Sequence, residues 1–597
     1  MVMRGSVCAL LAVTMLLAGC QAPVEPPVQT TEGTVPVGTV PVGTVPVEVD
    51  GMFTDRDGRT DYTGGVLVLL EGDRVVCDDA SVEISGTTVT LRGDGTYILR
   101  GTLEGGQIAV EAGQAHKPQL VLDGVSVTAS VGPALVIRQA DKVFVTLAEG
   151  TENRLTGGTV GEDDGEDGAL FSRQDLTLNG TGALTVVATE GHGIVCKDDL
   201  KITGGTYVVE SAAHGVDAND SVRIRDGSLT VDAGKDGIYV EHSEDPEQGF
   251  FYLESGSLDI EAEGDGISAS AWARMMDGTV EILAGGGHEN GESHSSGGWG
   301  DFGGGPGGGP GGMRPPDRRS NDTSTEEASS SMKGMKAGTA LWIGGGTVTI
   351  DAADDGLHSD GSVEILGGDL TIATGDDGIH GETELTVRDG RIRITESYEG
   401  LEAKDLRICG GQIEVAATDD GFNAAGGTDD SGNGGRDQMF GGGFGGRPGG
   451  PGGASDGSIV IEGGDIYIRA SGDGMDANGY LQIDGGHTVV CGPNSGDTAT
   501  LDFDTTGTIN GGVFLGTGAS GMAQTFSDNA QGVLAVSLGK GIEAGAEVIV
   551  TDGEGRELAR LQPELPFSVV IVSTPELVKG QTYHIRAGTA EGDLEAY

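Results

Sequence analysis

Five glycines, Gly334, Gly356, Gly378, Gly400 and Gly421, follow one another at intervals of 22, 22, 22 and 21 residues. Each is preceded by Lys333, Asp355, Asp377, Glu399 or Asp420 and followed by one apolar residue (Met335, Leu357, Ile379, Leu401, Phe422). A polar residue then follows: Lys336, His358, His380, Glu402 or Asn423. A fixed period of this length marks stacked units, each too small to bury a face by itself. Within a period apolar residues alternate with polar ones, as in Val363 and Ile365 and then Leu370 and Ile372, with Gly367-Gly368 between the two runs. Period-two alternation broken by Gly-Gly or Asp-Gly predicts short strands joined by turns, and no segment has the spacing of a sustained amphipathic helix. The expected fold is all-β: a parallel β-helix with one coil per ~22-residue period. A left-handed hexapeptide helix needs periods in multiples of six, so 22 favours the right-handed form. An array of β-hairpins is the competing arrangement.

Stacking gives the acidic positions a meaning. Adjacent coils lie ~4.8 Å apart, so equivalent carboxylates form a column and repel. A Ca²⁺ ion takes oxygens at ~2.4 Å on either side, which nearly spans that separation and turns repulsion into coordination. The candidate ligands are Asp354, Asp355, Asp376, Asp377, Glu399, Glu402, Asp419 and Asp420, with Asn423 as a neutral supplement. His358 and His380 are poor partners for a hard cation. The competing reading is that Asp-Gly makes turns and its carboxylate caps loop amides.

The chain opens with one Arg, an apolar run from Val7 to Ala18, and Leu17-Ala18-Gly19-Cys20. This predicts a secretory signal over 1–20, too short to span a membrane as a helix. Its ending resembles a bacterial lipobox, which implies lipidation of Cys20 and a membrane-anchored, exported protein; a plain signal peptide containing Cys is the alternative. Residues 21–52 hold three copies of Gly-Thr-Val-Pro-Val and read as an extended tether. Residues 53–160 read as a cap followed by irregular coils, with Met52 to Val76 expected to cover the open sheet end. The regular helix is expected over 161–525, where His192-Gly193, His214-Gly215, Asp236-Gly237 and Asp265-Gly266 begin the repeat. GEDDGEDG, from Gly161, is a solvated loop or a second cation-binding bulge, the loop being the simpler reading. Gly-rich insertions at 285–331 and 426–457 cannot pack a core. The repeat returns at Asp473-Gly474-Met475-Asp476, and 526–597 read as a small C-terminal β cap.

The formal charge of -58 speaks against nucleic acid and against anionic membrane surfaces as partners. Cys77, Cys196, Cys409 and Cys491 form no metal-binding spacing and read as free thiols.

FTDRD at Phe53, EGTENRLTGG at Glu149, MKGMKAG, DDGLH, DDGIH, EGLEAK, DDGFNAAGG, DGMDANG and GASGM, in this order, closely resemble a bacterial secreted carbohydrate-binding domain family with a fold similar to pectate lyases. The resemblance covers roughly Phe53 to Gly588. It implies a right-handed parallel β-helix, bound calcium, and attachment to plant cell wall polysaccharide, cellulose or acidic pectin-like chains. Carried across, the calcium-type acids fall on Asp354, Asp355, Asp376, Asp377, Glu399, Glu402, Asp419, Asp420, Asp473 and Asp476. The coils at His192 and His214 depart from that pattern.

Calcium-dependent lyases on such a fold need a base as well as a cation. Lys333, Lys336 and Lys404 lie in the acidic block, and Lys197 and Lys235 earlier, but a Lys beside stacked carboxylates is more simply a counter-charge. The expectation is therefore non-catalytic polysaccharide binding, with a polysaccharide lyase and an adhesive surface protein as alternatives. Sugar-contact candidates are Lys336, Lys404, Trp342 and Tyr398, with Trp272, Trp299 and Tyr480 as further aromatic residues.

Overall fold

The computed structural model describes residues 51–160, 165–291, 331–424, 457–493 and 498–597. Cys20, Trp299, nearly all of the tether and most of both Gly-rich insertions fall outside them. Contacts divide the chain at Met52, and Phe53–Tyr597 is one unit.

That unit is the expected parallel β-helix. Each coil contributes three strands, and equivalent strands of successive coils pair in parallel, giving three ladders. In the first, Met335–Ala337, Leu357–Ser359 and the start of Ile379–Val387 lie side by side, with Met335 opposite Leu357 and Leu357 opposite Ile379. The second runs through Ala340–Ile343 and Ser362–Ile365, the third through Thr347–Ala352, Asp369–Thr374 and Arg391–Glu396. Leu357, Val363, Ile365, Leu370 and Ile372 of one coil point inward and are buried in a core that runs through the unit. Full burial is worth ~1.5–3 kcal/mol per such side chain, and a lone coil has no neighbours against which to achieve it.

The insertions leave the register intact. Ile267 still faces Met335 across residues 285–331, and Asp405 faces Ser458 across 426–457. At the C-terminal end Val513–Gly518 of the third ladder pairs antiparallel with Phe567–Ser573, which pairs with Val533–Ile542. A four-stranded antiparallel sheet follows, in the order Glu557–Leu561, Val548–Thr551, Thr582–Ala587, Ala590–Glu595. Antiparallel partners of this kind close an edge that would otherwise template further pairing.

At the N-terminal end Val66–Gly72 is itself a coil strand, parallel to Thr96–Glu104. The residues before it lie along the outside of the first coils. Asp57 is fully buried there: its Oδ1 accepts from Lys142 Nζ at 2.7 Å and Thr177 Oγ1 at 3.0 Å, and its carbonyl accepts from Asn179 Nδ2 and Thr203 Oγ1. Burial opposes the charge, but Lys142 and the Thr54 donors outweigh it and hold the carboxyl well below the usual range. Asp57→Asn leaves the Lys142 ammonium buried against a neutral amide, so it is expected to weaken this docking by ~3–5 kcal/mol. Limited proteolysis before Val66 should speed up accordingly; an unchanged cleavage rate would refute this role for Asp57.

Candidate metal and ligand site

The turn leading into the first ladder carries the acidic column. In most coils the side chain of the residue before the glycine accepts a backbone amide of the following coil. Asp236 Oδ1 accepts from the Asp265 amide at 2.9 Å, Asp265 Oδ1 from the Lys333 amide at 2.8 Å, and Asp355 Oδ1 from the Asp377 amide at 3.0 Å. Asp420 serves Asp473 in the same way, and Asp473 serves Ala499. In the earlier coils His192 and His214 do so through Nδ1, each at 3.2 Å. Amide capping therefore explains the register of the column and why His replaces Asp there. It uses one carboxylate oxygen and leaves the other.

What meets the second oxygen divides the column in two. Around Asp355 the counter-charge is built in: Lys333, 1% exposed, donates from Nζ to Asp354 Oδ1 at 2.9 Å and to Asp355 Oδ2 at 2.8 Å. His358 Nδ1 lies 2.7 Å from Asp355 Oδ2, and its Nε2 lies 3.0 Å from Asp360 Oδ1. Burial works against the Asp355 charge, yet Lys333 and the two histidines overcome it and hold the carboxyl well below its ordinary value. The group Asp354, Asp355 and Asp376, whose ligand oxygens lie within 4.8 Å of one another, thus already holds an ammonium. One coil further, His380 Nδ1 lies 3.3 Å from Asp377 Oδ2 and 3.5 Å from Glu402 Oε2. Burial and excess carboxylate charge push Asp377 well up and Glu402 up to about 7. Burial disfavours the His380 cation, but its three carboxylate neighbours raise it to about 10.

Beyond Glu402 the acids of the column have no ion-pair partner among the described residues. Asp420, Asp473 and Asp476 bring ligand oxygens within 4.8 Å of one another, and among the described residues none of the three is in an ion pair. Burial, then Asp473, Glu399 and Asp419, push Asp420 up to about 9. Burial first, with Asp476 and Asp502 behind it, raises Asp473 to about 7; burial with Asp502 and Asp504 raises Asp476 to about 6. Glu399 rises to about 9 through burial and Asp377. Asn423 stands in register with Asp476; its Nδ2 donates to Glu399 Oε2 at 2.6 Å, while its buried Oδ1 has no hydrogen-bond partner. At Gly472 a Cβ would lie 2.2 Å from Asp419 Oδ1 and 2.4 Å from Asp420 Oδ1, so the missing side chain is the room these carboxylates occupy. Oxygen-only donors, an orphaned carbonyl and excess negative charge fit a hard divalent ion.

The other candidates are distributed differently. Lys336 stands between Ser268 and His358 in the first ladder, and Lys404 follows Ala403 there. The buried counter-charge is Lys333, not either of these. Trp342, 5% exposed, packs edge-on against Trp272, which stacks on Phe250 at 4.2 Å, so these rings form no open platform. Tyr398 is half-buried, and Tyr480 is exposed. All four described cysteines are free. One feature escaped the sequence reading: the histidines as members of the charge column. The i, i+3 spacing of Asp355 to His358 and Asp377 to His380 was the available signal for it.

A family model described as carbohydrate-binding domain-containing protein matches residues 85–378 and 376–556. A carbohydrate-binding domain-containing protein of Acetivibrio thermocellus is 40% identical over 225 residues, 37% of this chain and 79% of its own length. A solved structure described as the polysaccharide lyase-like protein from C. thermocellum, gadolinium derivative, shares 33% sequence identity at a TM-score of 0.36, covering 37% of this chain and 92% of that one. With its repeats matched over most of their length, the chain belongs to the carbohydrate-binding domain-containing protein family.

Proposed function

We propose that this β-helix binds polysaccharide of the plant cell wall type, cellulose or acidic pectin-like chains, with calcium and without catalysis, from an exported lipoprotein anchored through Cys20. The observation that carries the calcium reading is the Asp420–Asp473–Asp476 group, three carboxylates with raised pKa values and no basic partner among the described residues. Calcium at Asp420, Asp473 and Asp476, with Asn423 in register with Asp476, balances carboxylates that have no ion-pair partner among the described residues. An acidic glycan approaching a chain of charge -58 needs such a bridge, since two polyanions otherwise repel. Family membership supports the carbohydrate part of the reading.

The test is calorimetric titration of polygalacturonate, with cellulose pull-down alongside, in calcium and then in chelator, while absorbance follows unsaturated uronide formation. Binding in calcium, its loss in chelator and in Asp476→Asn, and flat absorbance are expected. Chelator-insensitive binding overturns the calcium bridge, and rising absorbance makes the protein a lyase. Radiolabelled fatty acid incorporation, lost in Cys20→Ser, tests the anchor.

A pH dependence accompanies this reading. Calcium takes carboxylates, but Asp420 at about 9 and Asp473 at about 7 hold protons near neutrality, so binding must expel them. Calcium affinity is expected to rise from pH 6 to pH 9, with about one to two protons released per ion at pH 7, read from titrations in buffers of different ionisation enthalpy. The linked stability has the opposite sign without calcium. A raised folded-state pKa gives stability that is complete below the ordinary value of 3.8 and lost as pH climbs towards 9, so the unfolding midpoint in chelator should fall over that range. A midpoint that rises with pH would contradict the assignment.

A further inference from the structure

We propose that His380, Asp377 and Glu402 form a second metal centre, one that takes a borderline divalent transition ion of the zinc class. His380 is 1% exposed, and its Nδ1 is buried without a hydrogen-bond partner. Asp377 Oδ2 at 3.3 Å and Glu402 Oε2 at 3.5 Å are near enough, yet neither is aligned for a hydrogen bond. The three ligand atoms lie within 4.8 Å of one another. Zinc holds imidazole nitrogen and carboxylate oxygen at ~2.0–2.2 Å, and the edge of a tetrahedron is ~1.6 times its centre-to-corner distance, so tetrahedral ligands stand ~3.3–3.5 Å apart. The two measured separations have that length.

The donor set selects the metal. One imidazole and two carboxylates suit zinc, cobalt or nickel, whereas calcium prefers six to eight oxygens. Other groups close by are already committed. Asp355 Oδ2, 3.9 Å from His380 Nδ1, is engaged by Lys333 and His358, and both ring nitrogens of His358 face carboxylates. The fold places the set without strain: Asp377 and His380 come from one turn, and Glu402 stands opposite His380 on the next coil. A metal here ties two coils together. A metal needs a neutral imidazole and ionised carboxylates as ligands, so affinity falls as the pH is lowered.

The experiment uses the full chain, stripped of metal and then held in excess calcium so that oxygen-only sites are filled. Cobalt(II) is titrated in, and its visible d–d absorption reports coordination geometry. The expected result is one cobalt per chain with the intense absorption of a tetrahedral site, displaced by one equivalent of zinc. His380→Gln should lower zinc affinity ~100-fold or more while far-UV circular dichroism and calcium binding persist. Glu402→Gln, which preserves shape and removes one charge, should weaken it as well and stands in if His380→Gln fails to fold. Absence of a zinc-displaceable cobalt band in the wild-type chain, or a band retained in either folded variant at unchanged affinity, would overturn the proposal.

Discussion

Lys333→Met is expected to destabilise the β-helix by ~3–5 kcal/mol at neutral pH, the usual cost of removing one member of a buried ion pair. Methionine keeps most of the aliphatic stem, so the loss is mainly that of the ammonium. Asp355 has no exposed surface, and its Oδ2 receives Lys333 Nζ at 2.8 Å while the same ammonium holds Asp354 Oδ1. Without Lys333 the buried carboxylate keeps only the His358 ring at 2.7 Å and the His380 ring at 3.9 Å as basic neighbours. The pH profile separates this explanation from simple loss of packing. In the native chain the depressed Asp355 pKa contributes stability that is present above the ordinary carboxylate value and lost as pH falls through the lower folded value. The variant forfeits that contribution, so its deficit should be full at pH 7.5 and shrink on acidification as the carboxylate takes a proton. Unfolding midpoints at pH 7.5 and at pH 4 measure it. A deficit of equal size at both would assign the effect to the stem and not to the charge.

The fold was legible because one geometric demand recurs every coil. The glycine, the acid before it and the apolar residue after it repeat at 22 residues, and Met335, Leu357 and Ile379 stand opposite one another as that period requires. The insertions could be set aside because the same triplet resumes after each. Composition gave less help at the N-terminal end. Nothing in FTDRD marks Asp57 as buried: its partners Lys142, Thr177 and Asn179 lie on other coils, and a single polar residue has no period to reveal it. The site was half legible for a similar reason. Stacking arithmetic puts acids over acids, but it does not say which second oxygen a Lys or His from the neighbouring coil will reach. Lys333 and His358 pair with Asp355, whereas the equivalent positions around Asp420 hold Glu399 and Asn423; the sequence shows that difference, but not that the Lys333 ammonium reaches the second oxygen of Asp355 one coil on.

The same column supplies the larger stability prediction. Gly356→Ala is expected to cost ~4 kcal/mol or more, a value reserved for changes the structure cannot absorb. Gly356 does not have a positive φ, so conformational freedom is not why glycine is there. Space is. An added Cβ would lie 2.5 Å from Ile372 Cγ2 and 2.6 Å from the Gly378 carbonyl oxygen, with Thr374 Cγ2 at 3.2 Å. The Ile372 methyl is fixed to a branched Cβ and moves only by changing χ1 inside a filled core. The Gly378 oxygen accepts the Leu357 amide, so pushing it away breaks the bond that joins one coil to the next. Nor can the adjacent coil yield, since a Cβ at Gly334 would meet the Gly356 oxygen at 2.5 Å and one at Gly378 the Gly400 oxygen at 2.6 Å. Gly553→Ala is the matched control: it also lacks a positive φ, has nothing within 4 Å of the added carbon, and should change stability by less than ~0.5 kcal/mol. Thermal unfolding of the two variants decides the matter. Equal midpoints would mean that the glycine column is not set by close approach between coils, and the 22-residue period would need a different physical cause.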